Sequence, residues 1–212
     1  MGKEEYNLNV NSVFTIPSYH VKCDGLSDEL NLEALAREEI SNNRISNDTQ
    51  GSLDQSYPEL YLRKEVRPLC DKIVHVVKRI SNEVLFFNTE YEVEITAMWA
   101  NIQKPHTQFD RHKHRNNMFA GVFYVTGGDD FPPIQFWNPV DPQLKPDISQ
   151  NNQFNSLGCT LPTTKDMLLI FPAYLEHSVA MNTSDKDRIS IAFNIMLRGE
   201  YDKRETLQMT SL

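Results

Sequence analysis

The stretch DRHKHRNNMFAGVFYV, residues 110–125, decides the fold, because a charged segment in it continues directly into an apolar one. Three of the six histidines of the chain lie between His106 and His114. His112 and His114 are two residues apart, so on an extended segment both imidazoles point to one face. Histidine is the commonest metal ligand in proteins. The segment therefore predicts half of a metal site, placed at the start of a buried strand.

The sequence around this stretch has the period of β-strands. Apolar and polar residues alternate over 93–99, and apolar runs predict further strands at 119–125, 134–137, 167–171, 176–181 and 188–197, with a short opening strand over 13–21. Helical spacing predicts a helix capped by Ser27 or Asp28 and a second over 62–80, in which Pro68 marks either a start or a kink. Helices followed by many short strands predict a mainly β barrel or sandwich with bracing α-helices.

Polar segments separate these predicted elements. Residues 41–57 and 139–157 are rich in Asn, Ser, Asp and Gln, which predicts a surface loop in each case, and the tail 199–212 is predicted to be peripheral. Loops on a rigid scaffold commonly carry specificity. We therefore expect substrate contacts from the loops 41–57 and 139–157.

Composition excludes several classes of protein. The 212 residues carry a net charge of -8, which argues against nucleic-acid binding, since this needs clustered Lys and Arg. No apolar run approaches the roughly 20 residues of a membrane span, and residues 1–6 lack the apolar core of a signal peptide. The three cysteines, Cys23, Cys70 and Cys159, form no C-x-x-C pair and predict reduced thiols in a cytoplasmic protein.

The second half of the predicted site lies on the last long strand. Arg188 and Ser190 share one face with Ala192 and Asn194, whereas the other face is apolar, and His177 lies eleven residues before Arg188. A guanidinium and a hydroxyl two residues apart suit a carboxylate. Together the two halves predict a pocket that binds a metal and holds an acid.

This pattern resembles that of the 2-oxoglutarate- and Fe(II)-dependent oxygenases, and more narrowly their prolyl-hydroxylase-like group, of the kind often encoded by phages. The Arg-x-Ser after a distal His is the specific element. The resemblance runs from about residue 95 to 194, nearly half of the chain. The segments that carry it are, in order, HKH at 112–114, GVFYV at 121–125, GG at 127–128, LLIF at 168–171, His177, and RIS at 188–190.

The resemblance implies a double-stranded β-helix, or jelly-roll, of about eight strands in a single oxygenase domain over 1–212. Its barrel core would span about 91–198, with helical support over about 1–90 and the tail outside. It also implies Fe(II) and O2 at the barrel mouth, 2-oxoglutarate as cosubstrate, and ascorbate as a supporting reductant. The residues implied are His112, His114 and His177 for the metal, Arg188, Ser190, Tyr124 and Asn101 for 2-oxoglutarate, with the three histidines and Arg188 catalytic.

One departure from the family pattern concerns the metal ligands. The usual ligand set is two histidines and one carboxylate, but His114 stands at the position of the carboxylate. A face of His112, His114 and His177 would lack that negative charge and hold Fe(II) more weakly. Asp110 is the alternative ligand, because it shares a face with both histidines if the segment is extended.

The resemblance also implies hydroxylation of a C–H bond, with release of succinate and CO2. The expected substrate is a peptidyl, prolyl-like side chain or a small molecule, and the expected state is a monomer or homodimer. One rival is a three-His cupin enzyme that does not use 2-oxoglutarate, although residues 115–119 lack the Glu of the usual cupin pattern. The other rival is a non-catalytic jelly-roll module for structure or binding.

Overall fold

The computed structural model describes residues 12, 14–45, 53–87, 91–140, 146–202 and 210–212. These residues form three α-helices, thirteen strands, two 3₁₀ turns (Leu60–Leu62 and Lys64–Val66) and one π-helical turn (Ile80–Val84). The helices are α1 Leu26–Glu29, α2 Leu32–Asn43 and α3 Arg67–Arg79. The strands are β1 Tyr19–Lys22, β2 Arg44–Ile45, β3 Leu53–Ser56, β4 Glu92–Gln103, β5 Phe109–His112, β6 Phe119–Tyr124, β7 Ile134–Trp137, β8 Gly158–Leu161, β9 Met167–Pro172, β10 His177–Val179, β11 Arg188–Arg198, β12 Glu200–Tyr201 and β13 Thr210–Ser211.

Two antiparallel sheets form the body of the fold. The larger sheet has the order β1-β9-β6-β11-β4-β3-β2, and the smaller has the order β5-β10-β7-β8. Strands that are distant in sequence become neighbours, as in the pairing of β11 with both β4 and β6. This arrangement confirms the predicted mainly β jelly-roll, the double-stranded β-helix, braced by α-helices.

Two apolar clusters lie on opposite faces of the larger sheet. On one face, α2 and α3 pack through Leu32 and Ile73 against the apolar face of β11, which includes Phe193. On the other face, Val122 and Phe171 belong to a smaller cluster between the two sheets. Because successive side chains of a strand point to opposite faces, the remaining face of β11 is directed into the space between the sheets.

The helix predicted over 62–80 is expected either to start near Pro68 or to bend there. α3 begins at Arg67 with Pro68 in its first turn and continues to Arg79 without a break. Proline is well tolerated in the first turn of a helix, since the first amides have no intrahelical partner. The interpretation of Pro68 as a helix start is therefore correct, and the kink is absent.

The predicted helix cap at Ser27 or Asp28 is wrong. Ser27 lies within α1, and the residue before each of the first two helices, Gly25 or Asn31, has a left-handed backbone and gives no side-chain cap. The carboxylate of Asp166, distant in sequence, instead accepts the backbone N–H groups of Gly25 and Ser27 at 3.0 and 2.9 Å and the Ser27 hydroxyl. A tertiary contact thus replaces the local cap that the sequence predicts.

The prediction of a surface loop over 41–57 is also wrong in part. Residues 41–43 complete α2, and β2 and β3 form a hairpin that extends the larger sheet, with Gln55 opposite Asn101. Asp54 is buried there between Arg44 and Lys104, with N–O distances of 2.8 and 2.7 Å. Ion pairing and the backbone of β4 stabilise a strand that apolar periodicity does not indicate.

The remaining segments differ less from the predictions. The opening strand is β1, at Tyr19–Lys22, and Val13 lies outside the described residues. Within 139–157, the described residues contain no helix or strand, as predicted. Among the described residues, no helix is long and apolar enough to cross a membrane.

Candidate metal centre and carboxylate pocket

Three histidines converge at one end of the space between the sheets. β5 pairs with β10 so that His112 lies directly opposite His177. The backbone N–H of His114 donates to the carbonyl of Ala173 at 3.0 Å, which draws the segment after β5 back toward the same point. One nitrogen from each of the three rings lies within 4.8 Å of the others. This spacing is suited to a single metal ion held by three imidazoles.

Hydrogen bonds define the orientation of each ring. The Nδ1 atoms of His112 and His177 lie 2.7 and 3.0 Å from the backbone oxygens of Asp110 and Leu175. Nδ1 of His114 lies 2.7 Å from Oδ1 of Asn194. Because all three partners are acceptors, each Nδ1 carries the proton and each Nε2 presents a lone pair. Metal-binding histidines commonly show this second hydrogen bond, since it fixes ring and tautomer.

Two of these rings are held in the neutral form that metal binding requires. Burial, and after it the charge of His112, lowers the pKa of His114 to about 4 and that of His177 to about 3. Both rings therefore remain unprotonated at neutral pH. Their lone pairs do not have to be freed from a proton before a cation binds.

Asp110, the alternative ligand, is not part of this cluster. Its backbone oxygen orients His112, and its carboxylate accepts a hydrogen bond from the side chain of Gln108 at 3.1 Å. The donor set is therefore three imidazoles. Imidazole suits Fe, Zn, Cu and Ni, so this set fits a divalent transition metal without the charge that a carboxylate would add.

The inward face of β11 extends the site along the larger sheet. Ser190 lies opposite Asn101 on β4 and Tyr124 on β6, so the register joins three of the four predicted cosubstrate residues in one row. Four residues further along β11, Asn194 lies opposite two alanines. The two alanines are Ala97 and Ala120, so the polar row and Asn194 occupy different levels of the same face of the larger sheet.

Arg188 lies at the deep end of this pocket and is buried, with 2% of its surface exposed. Its Nε and Nη2 atoms lie 3.3 Å from the hydroxyl of Thr163, and its guanidinium lies 5.2 Å from the ring centre of Tyr124. In the described part of the chain, no carboxylate pairs with Arg188, and the buried Tyr124 hydroxyl makes no hydrogen bond of regular geometry, although the Arg188 guanidinium interacts with it. Burial lowers the pKa of Arg188 and raises that of Tyr124.

A buried cation without a counter-charge is costly. Asp187, the neighbour of Arg188 in sequence, pairs with Arg37 at 2.7 Å. A bound anion would offset this cost, because it would supply the opposite charge that a buried guanidinium needs. The geometry around Arg188 and Tyr124 is therefore that of a receptor for an anionic oxygen ligand.

Three residues of this pocket have no clear signal in the sequence. Thr163 donates to the carbonyl of Pro132 at 2.8 Å, so its lone pairs are directed at Arg188. Gln55 and Trp99 both donate to Oδ1 of Asn101, at 2.7 and 3.1 Å, which leaves the Asn101 amide nitrogen as the group offered to a ligand. Gln55 lies in a polar segment and Thr163 in a turn, and neither segment has a pattern that could have identified them.

One pocket joins all of these groups. It contains about 500 Å³ of empty space, including solvent at its mouth, and is lined by the three histidines, Arg188 and Ser190 among others. A metal at the histidines and an acid at Arg188 would therefore share one enclosure.

Comparison with known proteins agrees with this site. Residues 97–194 match the family model described as "Putative 2OG-Fe(II) oxygenase", a range that includes every predicted site residue. No curated protein matches the chain.

Solved structures share the fold at low sequence identity. The non-heme alpha ketoglutarate dependent epimerase SnoN of nogalamycin biosynthesis is 12% identical, with a TM-score of 0.65 over 89% of this chain and 79% of that chain. A Pseudomonas putida prolyl-4-hydroxylase is 13% identical, with a TM-score of 0.56 over 87% of this chain and 95% of that chain. HygX from Streptomyces hygroscopicus, solved with nickel and 2-oxoglutarate, is 11% identical, with a TM-score of 0.60 over 86% and 83%.

Proposed function

We propose that this chain, a 2-oxoglutarate- and Fe(II)-dependent oxygenase by the match of residues 97–194 and by its fold, is a hydroxylase with Fe(II) at His112, His114 and His177. The observation that carries the proposal is the buried guanidinium of Arg188, which has no carboxylate partner in the described residues and opens into the same pocket as the three histidines. A metal site and an acid receptor at this spacing are what a metal-chelating dicarboxylate requires.

The chain's own residues hold the reactants in this proposal. The Nε2 atoms of the three histidines bind the metal, and their Nδ1 hydrogen bonds keep the rings directed at it. When bound, the metal supplies the position at which O2 reacts, so that a substrate C–H bond is hydroxylated while 2-oxoglutarate gives succinate and CO2. The protein contributes positioning and the exclusion of water.

The cosubstrate would lie along the polar row between metal and Arg188. Arg188 and Ser190 bind the carboxylate far from the metal, and the Tyr124 hydroxyl donates to it, which satisfies the buried group. Asn101 donates its amide N–H nearer to the metal, with its orientation fixed by Gln55 and Trp99. The hydroxyl of Thr163 accepts a hydrogen bond from the guanidinium and so helps to position it.

The proposed substrate is a peptidyl, prolyl-like side chain, with a small molecule as the second class, and the chain is assigned to the prolyl-hydroxylase-like group found in phages. The fold similarity to a Pseudomonas putida prolyl-4-hydroxylase supports the first class, and that to HygX, solved with hygromycin B, supports the second. Gln55 places the β2–β3 hairpin at the pocket wall, so this hairpin and the segment 139–157 are the proposed sources of substrate contacts.

We also propose that residues 1–212 act as one oxygenase domain, as a monomer or homodimer in the cytoplasm. The packing of α2 and α3 against the apolar face of β11 supports helical bracing of the barrel by the N-terminal part. Gln55 supports the same conclusion, because a residue from that part lines the pocket.

The direct test is succinate production. Metal-free protein is supplied with Fe(II), ascorbate and 2-oxoglutarate, alone and with proline-containing peptides, and succinate is measured while calorimetry records the binding of metal and cosubstrate. We expect 2-oxoglutarate to bind and be turned over in the wild type and both to be lost in His112→Ala. His75→Ala, which removes an exposed histidine on α3, is the matched control and should behave as wild type.

Each rival has its own outcome in this experiment. Metal binding without binding or turnover of 2-oxoglutarate would indicate a three-His enzyme of the cupin type. Binding of neither metal nor 2-oxoglutarate would refute the oxygenase proposal and favour a non-catalytic jelly-roll module. Stimulation by peptides, by small molecules or by neither then decides the substrate class.

A further inference from the structure

Of the three candidate ligands, His114 differs in the group that orients its ring. Backbone oxygens, those of Asp110 and Leu175, accept from Nδ1 of the other two histidines. His114 instead has a side-chain partner, because its Nδ1 lies 2.7 Å from Oδ1 of Asn194 on β11. A single substitution can therefore change this contact, whereas the two backbone contacts survive any side-chain replacement.

The chemistry of an amide makes this contact decisive for the tautomer. A backbone carbonyl only accepts, but an asparagine side chain offers an acceptor oxygen and a donor nitrogen. With Oδ1 toward His114, the ring proton is on Nδ1 and the lone pair on Nε2 is available to a metal. The opposite amide orientation would favour the proton on Nε2 and remove the lone pair from the metal side.

Aromatic contacts, in addition to Asn194, hold the ring of His114. The ring of His114 stacks on that of Trp99, with 5.7 Å between ring centres and an interplanar angle of 22°. It also stacks on the ring of His177, with 5.1 Å between ring centres and an angle of 12°. The neighbours of Asn194 on the adjoining strands are Ala97 and Ala120. Stacking thus fixes the plane of the ring, and Asn194 fixes its proton.

We propose that Asn194 is a positioning residue that holds His114 as a neutral ligand with Nε2 toward the metal, and that it thereby sets the charge of the metal site. The inference rests on the proposed function, because it takes His114 as a ligand. Asparagine has no negative charge to share through the imidazole, so the metal keeps three neutral ligands. A carboxylate in the same place would make a carboxylate–histidine–metal triad and a more basic ligand.

The test is metal binding rather than turnover. Co(II) affinity is measured by competition with a chromophoric chelator, together with the visible spectrum of bound Co(II), at a pH above the ordinary histidine pKa of about 6.5. We expect Asn194→Ala to weaken binding by about 10- to 100-fold, the usual effect of removing such a partner, and Asn194→Asp to tighten it by about 10-fold. Both should shift the Co(II) absorption bands relative to wild type.

A matched control separates the triad from a general effect of charge. Asn117→Asp adds the same charge three residues after His114, but the Asn117 amide bonds Thr96 at 2.6 Å and the Arg115 carbonyl at 2.8 Å rather than a ligand. We expect its Co(II) affinity to remain within about 2-fold of wild type, because Asn117 contacts no candidate ligand and is only partly buried, so solvent screens much of the added charge. Melting curves of the metal-free variants verify folding, and if Asn194→Ala does not fold, the near-isosteric Asn194→Asp decides alone.

Opposite signs for the two substitutions are the essential result. If Asn194 had a purely structural role, both variants would bind Co(II) more weakly than wild type, and that result would overturn the inference. Wild-type Co(II) affinity and spectrum in both variants would also overturn it. Tightening by Asn117→Asp equal to that by Asn194→Asp would overturn it as well. If wild-type protein binds no Co(II), both the inference and the proposed metal site are refuted, whereas normal wild-type binding with unresponsive variants refutes the inference alone.

Discussion

Replacing Arg188 should separate cosubstrate binding from folding. Arg188→Met removes a buried guanidinium and keeps most of its apolar volume. Truncating one partner of a buried, hydrogen-bonded charge pair costs about 2–5 kcal/mol of binding free energy. We therefore expect the Kd of 2-oxoglutarate to rise by about 30- to 4,000-fold, at 1.4 kcal/mol for each factor of ten, with Co(II) affinity nearly unchanged because the histidines are untouched.

Although Arg188→Met should weaken 2-oxoglutarate binding, it should not lower the stability of the metal-free protein. In the described residues, Arg188 is a buried cation held by Thr163 at 3.3 Å and paired with no carboxylate, so its removal ends an uncompensated desolvation cost. We expect the urea midpoint of Arg188→Met, without ligand, to equal or exceed that of wild type. The function of the residue is then visible as a cost to stability, as at many binding sites.

Calorimetry and urea unfolding measure the two quantities, and two further variants serve as controls. Arg188→Lys keeps the charge but not the planar fork, so its affinity should fall between those of wild type and Arg188→Met. Arg198→Met alters an exposed arginine at the other end of the same strand, paired with Glu94, and should change neither quantity. A destabilised Arg188→Met in which 2-oxoglutarate and Co(II) affinity fall together would refute the reasoning and indicate a structural role.

Three further predictions follow from the contacts described above. Tyr124→Phe removes a buried hydroxyl that makes no hydrogen bond of regular geometry in the described residues, so unfolding experiments should find the metal-free protein no less stable, while calorimetry should find 2-oxoglutarate binding weaker by about 1–2 kcal/mol; a loss of stability would contradict this. Asp166→Asn keeps the left-handed backbone that Asp166 adopts, because Asn also tolerates it, but it loses the charge that attracts the amides of Gly25 and Ser27. Urea unfolding should find the free energy of unfolding lower by about 1–2 kcal/mol. A change under about 0.5 kcal/mol would mean that these two hydrogen bonds contribute little to stability. The free energy of unfolding of the metal-free protein should fall as pH drops from 6.5 toward about 4, because the unfolded histidines bind protons in that range while His114 (pKa about 4) and His177 (pKa about 3) stay neutral in the fold. Denaturant titrations at several pH values should find a smaller dependence of this free energy on pH in the double variant His114→Ala/His177→Ala. An equal dependence in the double variant and the wild type would contradict the prediction.

The sequence by itself determined the chemistry of the site and the main strands. Period-2 alternation located β4 and β11, since a strand that separates a core from a cavity must place apolar and functional residues on opposite faces. The same alternation placed Arg188 and Ser190 on the face opposite the apolar one, and the packing of that apolar face in the core with the helices shows that they are directed inward. The row that joins Ser190 to Tyr124 and Asn101 remained an expectation from family resemblance, and the register of three strands provides it.

Only the tertiary structure decided how the site is completed. The choice between Asp110 and His114 depended on how β5 ends and on which backbone oxygen lies near each ring, and these are properties of the pairing with β10. Gln55, Thr163 and Asn194 came into contact with site residues through tertiary contacts between segments 25 to 80 positions apart in sequence. Periodicity reports which face a residue occupies, but contacts between distant segments follow from sheet register, and no local pattern encodes that register.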